Sequence, residues 1–96
     1  MIKVNINKSK ITITGHANYA DYGKDIVCAA VSSTVITTVN GILSIDSESL
    51  NIKEGNTLTI EILKHNEIVD KLITNMINLL TELQNEYKDN IDIRRC

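Results

Sequence analysis

Apolar and polar residues alternate along this chain with two different periods, and the switches between them mark its elements. Ile2, Val4 and Ile6 alternate with Lys3, Asn5 and Asn7; after Lys8-Ser9, Ile11 and Ile13 alternate with Lys10, Thr12 and Thr14. A period of two belongs to a strand with one buried face. The pattern predicts a hairpin of strands over 2–7 and 10–15. Residues 17–24 keep no period and predict a loop, whose glycine, small and polar residues suit a lid. From Ile26 to Ile45 there is no charge, and Val27, Val31, Val35, Val39 and Ile42 recur at helical spacing. Asn40-Gly41 reads as the stop of this helix. Its β-branched residues lower helix propensity, so packing must hold it.

The strand period then returns. Leu50 and Ile52 alternate with Asn51 and Lys53, and Leu58, Ile60 and Ile62 with Thr57, Thr59 and Glu61, around a turn at Glu54-Gly55-Asn56. A second hairpin is predicted over 48–53 and 57–63. Val69, Leu72, Ile73, Met76, Leu80, Leu83 and Tyr87 keep the i, i+3, i+4 spacing and predict a long amphipathic helix over 67–88. Ile91 and Ile93, alternating with Asp92 and Arg94, predict a short last strand. The order is ββαββαβ. The expected fold is a two-layer α/β (α+β) sandwich, a five-stranded sheet covered by two helices, in one domain over residues 1–96.

Composition narrows the function. Hydrophobic residues make up 43% of the chain, with three Tyr and neither Trp nor Phe, so the core must be Ile, Leu and Val. A net charge of −2 argues against a nucleic-acid partner, which calls for a basic face. No run of eighteen or more apolar residues escapes polar interruption, so no membrane span is expected. The first residues alternate like a strand rather than a signal peptide, which points to the cytoplasm. Cys28 and Cys96 lie too far apart for a disulfide framework, and Cys96 reads as incidental.

The candidate chemistry is a thiol and an imidazole, Cys28 and His16, twelve residues apart. Asp25 is a good N-cap. If it caps, Ile26, Val27 and Cys28 open the helix, where unpaired N–H groups and the positive dipole end favour a thiolate and offer an oxyanion hole. Each residue also has a plainer reading. Cys28 suits a small buried core position, His16 a strand end and Gly15 a turn. Asp25 either caps the helix or orients His16 as a third triad member. Ser32, one turn after Cys28, bonds either its own helix or a group near the thiolate. A metal site from His16, Asp25 and Cys28 lacks paired ligand spacing, so no metal is assigned. The four glycines match no phosphate loop, and no cofactor is expected. His65 and Asn66 read as a loop before the second helix and receive no chemistry.

Taken together, Gly15-His16-Ala17, then Gly23, then Asp25-Ile26-Val27-Cys28-Ala29-Ala30-Val31-Ser32 resembles the motif of the ribosomal-processing cysteine protease family, often called Prp. The resemblance extends to the length and element order. It implies Cys28 as nucleophile and His16 as general base and acid, with Asp25, Gly15 and Ser32 in supporting positions. It implies a flexible loop between His16 and Cys28 that meets substrate, where Tyr19, Tyr22 and Gly23 lie. The implied substrate is the N-terminal extension of a large-subunit ribosomal protein, L-twenty-seven, and the implied assembly a cytoplasmic homodimer. Two other readings of the thiol stay open: a non-enzymatic ribosome-associated peptide-binding module and a redox sensor, the latter weakened by the lack of a nearby resolving cysteine.

Overall fold

A computed structural model describes residues 1–15 and 22–95, with the backbone alone for residues 22–25. The elements are β1 (Ile2–Ile6), β2 (Lys10–Thr14), α1 (Tyr22–Ile45), β3 (Leu50–Lys53), β4 (Thr57–Ile62), α2 (Glu67–Glu86) and β5 (Ile91–Arg95). The expected order ββαββαβ is therefore the observed one. The strands form one mixed sheet in the order β3-β4-β2-β1-β5. Both hairpins are antiparallel, β2 pairs with β4 antiparallel, and β5 lies parallel to β1.

Register sorts the side chains. Val4 stands opposite Ile13, Ile11 opposite Ile60, and Ile2 opposite Ile91, all on one buried face. The other face carries the paired polar rows, such as Lys3 with Thr14, Asn5 with Thr12, and Lys10 with Glu61. On that wet face the Lys53 ammonium, 3.0 Å from Glu61, and the Asn51 amide hold the Glu61 carboxyl below the usual glutamate range.

The two helices cover the apolar face and touch each other, α2 over β5 and α1 towards β3. Val27, Val31, Val35 and Ile42 of α1 and Val69, Met76 and Leu80 of α2 are each at most 2% exposed, so the core is aliphatic with Met76 buried in it. The segment Ile26–Ile45 is long and apolar enough to cross a membrane by length and composition. Here its valine stripe packs on the sheet, and Thr34 and Thr38 return their hydroxyls to the Ala30 and Thr34 carbonyls at 2.8 Å. Those features belong to a core helix.

The strands and α2 end within two residues of the expectation, and both ends of α1 differ from it by more. Asn40-Gly41 does not stop α1, which runs on to Ile45. An interior glycine costs about 1 kcal/mol relative to alanine, and burying Ile42 completely, with Leu43 against the core, outweighs that. At the other end α1 starts at Tyr22, so Tyr22, Gly23 and Asp25 belong to the helix and not to a loop or a cap. An aspartate suits the first turn of a helix as well as its cap, so residue type alone did not separate the two placements.

The second helix has a true cap. Asn66, in an extended conformation, accepts the Val69 N–H on Oδ1 at 2.9 Å. Replacing Asn66 by alanine is expected to lower stability by about 1 kcal/mol, read as a shifted urea midpoint with an unchanged slope.

Candidate active site

The site begins at the end of β2. Thr14 pairs with Thr57 of β4, and Gly15 follows with φ of 79°, a backbone state that side chains resist. A Cβ on Gly15 would also overlap the Met1 carbonyl oxygen. The glycine is therefore required by the backbone, which the plainer reading as a turn residue had understated. His16 comes next and lies outside the described residues, as does Tyr19. The backbone at Tyr22, Gly23 and Asp25 is described and their side chains are not.

Cys28 is the seventh residue of α1, a free thiol, half-buried and packed against the core cluster. This corrects the expectation that it opens the helix. Six residues at 1.5 Å each set it roughly 9 Å along the axis from the helix start, beyond the first turn where the dipole acts. The N–H groups of Ile26, Val27 and Cys28 fall within the i to i−4 ladder and are not free donors for an oxyanion. What α1 does give the thiol is position, at the edge of the buried stripe where one side meets the core and the other is open.

Ser32, half-buried, follows one turn along that edge and lines a cavity of about 250 Å³ with Val35, Ile36, Glu54, Gly55 and Leu58. The floor is apolar, and one carboxylate and one hydroxyl belong to its lining. Its volume is below the usual range for a whole small-molecule ligand and suits a single side chain of a longer one. The far wall is the β3–β4 turn, which directly precedes Thr57, the partner of Thr14. Gly15 and that turn thus share one end of the sheet. The chain leaves β2 at the end of the sheet where the cavity beside Ser32 lies, and Cys28 stands one helical turn from Ser32. Nothing in the spacing of Glu54, Gly55 and Leu58 marks a site, and the sequence predicts only a hairpin there. Among the described residues no three His, Cys, Asp or Glu side chains gather as for a metal ion.

Comparison with known proteins shows the family. The family model for cysteine protease Prp matches residues 1–92. The chain belongs to the Prp cysteine protease family. A Prp relative from Staphylococcus aureus, a ribosomal processing cysteine protease, is 31% identical over 95% of each chain. One of the same name from Bacillus subtilis is 29% identical over 97% of this chain and 96% of its own. The crystal structure of Staphylococcus aureus Prp in complex with a substrate peptide superposes with a TM-score of 0.92 at 27% identity, covering both chains fully. A second structure of that protein, with a covalently linked product peptide, gives 0.88 at 28% identity. The five-stranded mixed sheet with two helices is the Prp fold, and the chain is a cysteine protease.

Proposed function

We propose that this protein is a ribosomal-processing endopeptidase that removes the N-terminal extension of ribosomal protein L-twenty-seven, with Cys28 as nucleophile and His16 as base and acid. The observation that carries the reading is the thiol on an open helix edge, one turn from a side-chain-sized cavity, in a chain that matches the family along nearly its whole length. It is supported by relatives named for ribosomal processing and by a relative captured with substrate and with covalently linked product.

The chemistry balances with these two groups alone. His16 takes the Cys28 proton, and the sulfur bonds to the scissile carbonyl carbon. The C–N bond breaks as His16 returns that proton to the leaving amine. Water, deprotonated by His16, then cleaves the thioester and frees the new carboxylate. Ser32 and Asp25 support the pair, and Gly15 fixes the approach of the chain to His16. Residues 17–24, with Tyr19, Tyr22 and Gly23, meet the bound peptide, whose side chain enters the cavity beside Ser32. The protein works in the cytoplasm as a homodimer, as one domain over 1–96, without metal or cofactor.

The test is mass spectrometry of a peptide spanning the extension, combined with iodoacetamide alkylation of Cys28 across a pH series. A single cut is expected, and in His16→Ala the neutral-pH alkylation rate should fall. Peptide binding without any cut would support the binding module instead. An alkylation profile unchanged by His16→Ala would remove His16 from the mechanism.

A further inference from the structure

At the end of the sheet away from Gly15, three side chains from distant segments line up. His65, between β4 and α2, sets Nδ1 3.0 Å from Asp70 Oδ1 and Nε2 3.2 Å from Ser9 Oγ. A carboxylate only accepts, so with neutral imidazole the proton sits on Nδ1 and the Nε2 lone pair faces the serine hydroxyl. Ser9 Oγ–H then donates to Nε2, which is the order of a serine–histidine–acid relay. All three groups are exposed, yet the backbones of Ser9 and Asp70 are held. The Ser9 carbonyl accepts the Ile62 N–H at 2.8 Å, its own N–H donates to Asn7 Oδ1 at 3.2 Å, and Asp70 sits in the first turn of α2.

His65 and Asp70 line a cavity of about 250 Å³ with the aliphatic side chains of Ile6, Ile62, Ile73 and Ile77 and with Lys8, and Ser9 reaches it only through its contact with His65. It shares no residue with the cavity beside Ser32. A hydroxyl within hydrogen-bond reach of an imidazole, an apolar recess and a cation are what cleavage of a small ester requires.

We propose that Ser9, His65 and Asp70 form a second nucleophilic site, separate from Cys28, for carboxylic esters with a compact apolar acyl group. Ser9 Oγ bonds to the ester carbonyl carbon while its proton passes to His65 Nε2. Lys8 offsets the charge on the carbonyl oxygen. The C–O bond of the ester breaks, and the leaving alkoxide departs with the proton from His65. Water then hydrolyses the acyl-serine, with His65 again as base, giving the acid and free Ser9.

The experiment uses the full chain carrying Cys28→Ala and Cys96→Ala, so that no thiol reacts, with p-nitrophenyl butyrate as probe. Nitrophenol release and the butyryl adduct, mapped by peptide mass spectrometry, are read together. The expected result is an adduct on Ser9 and turnover that falls about tenfold or more in Ser9→Ala, His65→Gln and Asp70→Asn. Circular dichroism of each variant excludes loss of fold. Turnover unchanged by Ser9→Ala, adducts on lysines only, or a Ser9 adduct indifferent to His65→Gln would each overturn the proposal.

Discussion

Cys28→Ala should leave the protein folded and unable to cut peptide. Removing the nucleophile of a hydrolase that works by a coupled pair costs up to about 10⁶-fold in turnover, so a loss of at least about 10³-fold is expected here. The structural cost is small. Cys28 is half-buried at the edge of the α1 stripe, and alanine keeps most of its core contact while giving up one sulfur. A loss of about 1 kcal/mol corresponds to a few degrees in Tm for a domain of this size. Single-turnover cleavage followed by mass spectrometry, with a thermal melt of the same sample, separates the two effects. A melt that collapses would mean that the thiol is chiefly a packing group. Turnover near that of the unsubstituted protein would move the nucleophile elsewhere.

Gly15→Ala is expected to be the most damaging small substitution near the site. Alanine in the left-handed region costs about 1–2 kcal/mol, and here its Cβ would also meet the Met1 carbonyl oxygen. Neither backbone can retreat cheaply. Ile2 N–H is bonded to the Asn90 carbonyl at 2.8 Å, and Lys3 is in register with Thr14. Strain and overlap together should remove roughly 3 kcal/mol, a Tm drop on the order of 10–20 °C. With His16 as the base proposed above, peptide cleavage should fall further than the unfolded fraction accounts for, because Gly15 directly precedes it in the chain. Urea unfolding and specific activity at a temperature where the variant is folded measure the two losses separately. A stability change under about 0.5 kcal/mol would show that the end of β2 can shift to make room.

The strands were readable because one face of the sheet is dry and the other wet, and the alternation of Ile2, Val4 and Ile6 with Lys3 and Asn5 records that directly. The α2 stripe was readable for the same reason. Helix ends were less so, since Asp25 fits a cap or a first turn, and Gly41 is a stop only where nothing beyond it can be buried. Strand order was not legible at all. It depends on how α1 and α2 carry the chain across the sheet, and no local pattern reports that the last strand lies beside the first. At the site, Gly15 and Cys28 stand in a recognisable motif. The cavity walls Glu54 and Leu58 come from a hairpin with no motif of its own. The same holds for Ser9 and His65, 56 residues apart in the chain, whose meeting is a product of the fold alone.

The parallel pairing of β5 with β1 has a consequence for how the protein is made. Ile2 and Ile91, 89 positions apart (91 − 2), are ladder partners, so an inner strand of the finished sheet waits for residues synthesised long after it. Until they arrive, β1 is an open edge with Ile2, Val4 and Ile6 on one side, a template for pairing with another chain. The two hairpins and α1 carry short-range contacts and can form early, whereas closure of this ladder is the slow, long-loop step. The nascent chain would thus hold its thiol in place before it can hold itself apart from its neighbours, and shortening β5 should show first as aggregation during expression, ahead of any defect in chemistry.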